Sequence, residues 1–150
     1  MIDTDLEKID VVLKHGMQFE ATNALGAVTV MDASLPLGQN AGLTPMEHLL
    51  AGLGGCTAMD VISILRKKRL EVAEYRLEVT GARSVDHPKV YKRIFIRHIV
   101  TGHNIPEDAV SQAIQLSEEK YCSAHAMLRS AAQISTTFEV RSREAVGAAS

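Results

Sequence analysis

At 150 residues, with 46% hydrophobic and 23% charged side chains, the chain has the length and composition of one folded domain with a core of its own. A formal net charge of −2 gives no electrostatic support to a nucleic acid or an anionic membrane as partner. Aromatic residues make up only 4% and tryptophan is absent, so the core must rest on Leu, Val, Ile, Ala and Met.

The N-terminal residues Met1-Ile2-Asp3-Thr4-Asp5 are acidic and precede no long apolar run. The expectation is a cytoplasmic protein with no secretory signal and no membrane-spanning segment. Residues 9–14, 17–22 and 27–31 read as short strands, the middle one alternating apolar and polar side chains. Gly16 and residues 23–26 supply the turns, and Pro36, Gly38, Asn40 and Gly42 mark 32–43 as a loop.

A long helix follows. Thr44 suits the N-cap, Pro45 the first helical position, and Glu47 completes a T-x-x-E capping box. From Leu49 to Leu65 the residues are apolar or small almost all round, which predicts a largely buried helix. Gly52, Gly54 and Gly55 weaken it and suggest a close neighbour, either another helix or a substrate. The basic run Arg66-Lys67-Lys68-Arg69 complements the helix C-terminus.

Two longer strands are predicted at 72–82 and 90–101, joined by a turn around Asp86-His87-Pro88. Neither face of the second is cleanly polar, so the sheet is covered on both sides or pairs with another subunit. Asn104 is read as the start of a second helix, with Pro106 in its first turn and an end near Lys120. A shorter helix begins or continues at Cys122 and runs to about Ala132, residues 133–140 form a last strand, and 141–150 form a loose tail. The order βββ-α-ββ-αα-β comes in blocks, which indicates an α+β fold in a single domain spanning 1–150.

The chemistry-bearing residues are few. Cys56 and Cys122 are the only cysteines, and a reducing compartment leaves them free or transiently oxidised. Should the fold bring them together, they form a nucleophilic and a resolving thiol; each has an alternative reading as an inert buried side chain. Cys56 lies eleven residues past Pro45, where a helix dipole gives little help. On a helix, His125 and Arg129 share the face of Cys122 at three and seven residues beyond it. Glu47, nine residues before Cys56, points away from it and is explained as a cap, and His48 is two turns away. No C-x-x-C, H-x-x-x-H or H-E-x-x-H spacing occurs, so no metal is expected, and no phosphate-binding loop precedes a helix.

The stretch Thr44-Pro45-Met46-Glu47-His48-Leu49-Leu50-Ala51-Gly52-Leu53-Gly54-Gly55-Cys56 resembles the first cysteine motif of the OsmC/organic-hydroperoxide-resistance family. Glu119-Lys120-Tyr121-Cys122-Ser123-Ala124-His125-Ala126 resembles the second, and the similarity spans nearly the whole chain. The resemblance implies a two-lobed OsmC-like fold, two central helices packed on sheets, and an intertwined homodimer. It also implies that Cys56 is the peroxidatic thiol and Cys122 the resolving thiol. The substrate would be an organic hydroperoxide, the reductant an external dithiol such as a lipoyl group, with no bound cofactor.

The chain departs from the family pattern at two places. Met46 follows Pro45 where a glutamate is usual, and no arginine occurs before Arg66, so the family's arginine–carboxylate pair is missing. His125, His48 or Arg129 would have to supply positive charge. The leading expectation is therefore a divergent OsmC-like thiol peroxidase. The alternative is a non-enzymatic module that binds an apolar small molecule near Gly52–Gly55 or senses redox state without turnover. Thiol chemistry on an acyl substrate is a weaker third option, since it needs a base and an oxyanion hole that the sequence does not display.

Overall fold

The computed structural model describes residues 5–143. The fold is α+β and divides into two compact units, one ending at Leu49 and one beginning at Leu50.

The first unit is an antiparallel meander of β1 (Ile9–His15), β2 (Gln18–Asn23) and β3 (Val28–Met31). Gly16 turns between β1 and β2 with φ of 56°, a left-handed conformation that glycine adopts without strain. Asn23 closes the next turn: its Oδ1 accepts the N–H groups of Leu25 at 3.0 Å and Ala27 at 2.9 Å. The loop after β3 is more ordered than its Gly/Pro content suggests. Buried Asp32 accepts N–H bonds from Ala33 at 2.7 Å, Gln39 at 3.1 Å and Ala41 at 3.0 Å, so one carboxylate gathers both arms of the loop. At Gly38 a Cβ would stand 2.3 Å from the Ala33 carbonyl oxygen, which leaves room for no other residue.

The predicted capping box forms. Glu47 N–H donates to Thr44 Oγ1 at 3.2 Å, and Thr44 N–H donates to a Glu47 carboxylate oxygen at 2.9 Å. These bonds start α1 (Pro45–Lys67). Its far end closes with Leu70 N–H on Leu65 O and Arg69 N–H on Arg66 O, the paired bonds of a Schellman stop, with Arg69 at φ of 60°.

In the second unit, β4 (Val72–Arg83) pairs antiparallel with central β5 (Tyr91–Gly102), and β6 (Gln133–Ser142) joins β5 in parallel. One sheet face packs on helices in two clusters. Val61 and Leu65 of α1 meet Val100 and, from α2 (Glu107–Leu116), Val110, Ala113 and Ile114. Leu53 meets Ile94, Ile96, Cys122 and Ala132. The other face is polar at the edges of an ionic ladder: Arg97 bridges Glu78 at 3.4 Å and Glu139 at 2.6 Å, flanked by Arg76 and Arg141. The expectation of cover on both faces is thus half met in the single chain.

Several boundaries differ from the sequence reading. Asn104 does not start α2: it sits in a left-handed turn at φ of 52°, and the helix begins at Glu107 with Pro106 as an N-cap that makes no side-chain cap bond. Helix α2 stops at Leu116 and a five-residue π turn, Ser117–Tyr121, replaces the expected continuation. Cys122 is extended, not helical, and serves as the N-cap of α3 (Ser123–Leu128), which ends four residues before Ala132. Strand β6 extends through Ser142, so residues 141 and 142 of the expected tail are strand, and its residues 144–150 lie outside the described residues.

Helix α1 is buried along one stripe, Leu53, Gly54, Thr57, Val61 and Leu65, not all round. Leu49 is 48% exposed and Met59 73%. Of the three glycines, only Gly54 is closely packed, where a Cβ would stand 2.9 Å from Val79 Cγ2; Gly52 and Gly55 face open space. By length and composition α1 is also apolar enough to cross a membrane, contrary to the sequence reading. Here its buried stripe packs on the sheet as a core helix.

Candidate functional site

Cys56 and Cys122 are 66 residues apart in sequence, and the fold of the second unit joins them. Their sulfur atoms and a carboxylate oxygen of Asp60 all lie within 4.8 Å of one another. The helix places the first pair: Asp60 follows Cys56 by four residues and shares its face. The π turn places the third member. Its wide winding lets Cys122 N–H donate to Ser117 O at 2.7 Å, while buried Ser117 donates through Oγ to Asp60 Oδ2 at 2.9 Å. One residue of the turn therefore holds both the Cys122 backbone and the Asp60 carboxylate.

The two thiols differ in setting. Cys56 is half-buried and Cys122 is buried. Cys122 Sγ lies 3.2 Å from Thr57 Oγ1 and accepts the His125 N–H at 3.3 Å as an N-cap acceptor. Burial pushes the Cys122 thiol above its ordinary range; the Thr57 and His125 hydrogen bonds pull it back, and neighbouring Cys56 adds a further push upward.

The remaining sequence candidates separate clearly. His125 reaches the site through its backbone N–H; its ring Nδ1 is buried without a partner. The expected i, i+3 helical relation fails because Cys122 is an N-cap with φ −78° and ψ 101°. Arg129 is the exposed C-cap of α3 and makes no hydrogen bond to either sulfur. Glu47 is committed to the capping box, and the backbone and side-chain bonds from Thr44 hold its carboxyl below the usual range. His48 belongs to the first unit, with Nδ1 3.0 Å from Thr44 O and Nε2 3.1 Å from Thr29 Oγ1. Asp60, Thr57 and Ser117 were not singled out from sequence. Asp60 left a signal, as the one acidic residue within the 49–65 apolar run and four residues after a candidate nucleophile. Thr57 and Ser117 left none.

Comparison with known proteins gives the chain a family. The family profile described as OsmC-like protein matches residues 38–137. The chain belongs to the OsmC-like family. A curated OsmC-like relative, Protein YhfA of Escherichia coli K12, is 38% identical over 126 residues, covering 84% of this chain and 92% of YhfA. Among solved structures, a hypothetical protein from Aquifex aeolicus superposes with a TM-score of 0.82 at 33% identity, covering 94% of this chain and 100% of that one. An organic hydroperoxide resistance protein OsmC from Legionella pneumophila shares the fold, with a TM-score of 0.67 over 93% of this chain and 100% of that one, at 10% identity. The block order of this OsmC-like chain, with two small sheets and three helices, is the order its motifs predicted.

The expectation of no metal rested on missing spacing motifs. The folded OsmC-like chain nevertheless assembles two thiols and one carboxylate, a set that spacing alone does not reveal.

Proposed function

We propose that this OsmC-like protein is a thiol-dependent peroxidase that reduces organic hydroperoxides. One observation carries the reading: the two sulfurs lie within 4.8 Å of each other, and Cys56 is the one partly open to solvent. Cys56 thiolate attacks the distal peroxide oxygen, the O–O bond breaks, and the leaving alkoxide takes a proton to become the alcohol. Cys56 is left as a sulfenic acid. Cys122 thiolate then attacks Cys56 Sγ, water leaves, and a disulfide forms. A disulfide needs the sulfurs about 2.05 Å apart, so the pair has to close by about 3 Å at most. An external dithiol, of which a lipoyl group is one, accepts the exchange and resets both thiols. No bound cofactor takes part. A cytoplasmic, reducing setting fits thiols that cycle in this way. The name of the Legionella relative, organic hydroperoxide resistance protein, agrees with this chemistry.

A second reading has its own support. The first 65 residues hold no arginine to orient a peroxide. The first unit carries an apolar cavity of about 500 Å³ lined by Val11, Met17, Phe19, Met31, Thr44 and Pro45, among others. This is not the Gly52–Gly55 location expected from sequence. An apolar ligand could occupy such a cavity without any turnover. The two readings part on intact mass and thiol count after one equivalent of cumene hydroperoxide is added to reduced protein. Loss of two hydrogens and both thiols, abolished in Cys122→Ser, is the expected result. Unchanged mass with two free thiols overturns the peroxidase reading and leaves the binding one.

We also propose a homodimer. Ile9, Val11, Val12 and Leu13 of β1 are each more than half exposed, and Met59 of α1 is 73% exposed. Each unit thus leaves large apolar side chains in water, surface that a second copy of the chain would cover. Sedimentation equilibrium at micromolar concentration is expected to give twice the chain mass; a clean monomer overturns this.

A further inference from the structure

The same three side chains have a second capacity that requires no peroxide. We propose that the reduced Cys56–Asp60–Cys122 cluster is a binding site for a thiophilic divalent cation of the zinc class, held by two thiolates and one carboxylate oxygen. The donor set selects the metal. Thiolates favour zinc and its analogue cobalt over magnesium or calcium, which take oxygen ligands. The spacing fits as well. Two thiolates at about 2.3 Å from one tetrahedral zinc stand about 3.8 Å apart, with the carboxylate oxygen at about 2.1 Å. Ligand atoms already within 4.8 Å of one another reach that geometry with shifts of about 1 Å or less.

The surroundings are those of a supported site. Ser117 Oγ–H donates to Asp60 Oδ2 at 2.9 Å, which orients the carboxylate and leaves its other oxygen for the metal. Thr57 Oγ1 and the His125 N–H already address Cys122 Sγ, so its thiolate would be hydrogen-bonded outside the metal. Cys56 is half-buried, which leaves an entry path and a fourth position for solvent. On binding, each thiol gives up its proton to solvent and its sulfur lone pair to the cation; no electron changes hands.

The test uses the full-length reduced protein, titrated anaerobically with cobalt(II) and then with zinc(II). Cobalt is expected to bind at one per chain, with a thiolate-to-cobalt charge-transfer band in the near ultraviolet that zinc bleaches. Cys56→Ser should lose about half of that band. Asp60→Asn should keep the band but weaken apparent affinity about tenfold or more, because a neutral amide oxygen replaces the anionic ligand, a loss at least as large as that of an outer partner. No saturable band, or affinity unchanged in Asp60→Asn with native circular dichroism, overturns the proposal. The two readings fail separately. A protein that is oxidised by hydroperoxide but binds no cobalt loses only the metal site. One that binds cobalt but ignores hydroperoxide loses only the peroxidase.

Discussion

Up to Leu49 the chain buries no apolar side chain among its described residues, and its one buried side chain is the Asp32 carboxylate. From Leu50 onward it buries two aliphatic clusters, and a neutral imidazole, His98, lies fully buried on the same sheet face between them. Asp32 and His98 are hidden by opposite means. Asp32 stays charged because three backbone N–H groups hold the anion, and these lower its pKa. His98 has a single polar partner, Tyr75 Oη at 2.7 Å from Nδ1, while Nε2 is unpartnered, and desolvation lowers its pKa to about 4. A unit built on local hydrogen bonds can hold a charge. A unit built on aliphatic packing can hold only the neutral form. The cysteine site sits in the second kind, which is why its buried thiol is pushed upward.

The largest effect should come from apolar deletion in the second unit. Leu65 is fully buried, and Leu65→Ala is expected to cost about 2–5 kcal/mol in urea unfolding. A cost below about 1 kcal/mol would mean that the two units do not differ in how they are held.

The next test is pH. His98 has a folded pKa of about 4 against 6.5 unfolded. Its depressed value means that full stability is present above pH 6.5 and is lost as pH falls, because the unfolded chain takes up the proton first. Below pH 4 both states are protonated and the loss stops growing. Between those limits the wild type should lose about 3 kcal/mol from this group, since one pKa unit is worth about 1.4 kcal/mol. His98→Phe should flatten the profile between pH 6.5 and 4 while lowering stability at pH 7, where Tyr75 loses its partner. An unchanged slope would show that His98 is hydrated in solution.

The counterpart in the first unit should be smaller and more acidic. The lowered Asp32 pKa gives a stabilisation present above the ordinary carboxylate range and lost as pH falls through the folded value. Asp32→Ala should speed amide exchange at Ala33, Gln39 and Ala41, with β4–β6 unchanged. Equal acceleration in β5 would erase the distinction between the units.

What the sequence displayed was local chemistry. Thr44, Pro45 and Glu47 marked the start of α1 because a capping box involves neighbours only. The alternation of β5 was visible, but an apolar run on all sides of α1 does not say which face the sheet covers. The π turn had no signature, because one extra residue per turn is compatible with the same side chains. Asp32 was unreadable for a related reason: it binds main-chain N–H groups seven and nine residues on, and backbone donors look alike in any sequence. Between these extremes stands the cysteine pair. Its members were legible from their motifs, but their meeting depends on Ser117 and on the crossover from β5 to β6, which is tertiary.

The smallest predicted effect lies where α1 ends. The basic run read as a helix-terminal feature is one, but Arg69 also takes the left-handed position of the Schellman stop, at φ of 60°, where its Cβ is crowded by the backbone. Lys68 holds Gln112 through a 2.8 Å bond and Arg66 and Lys67 occupy the last helical turn, so the charge complementing the helix end does not depend on Arg69. Arg69→Gly should therefore stabilise the second unit by about 0.5–1 kcal/mol, a gain in thermal midpoint with no change in the cysteine site. Destabilisation instead would assign the Arg69 side chain a contact that outweighs its backbone strain. Helix α1 would then be fixed at its C-terminal end by charge, as at its N-terminal end it is fixed by the Thr44–Glu47 pair.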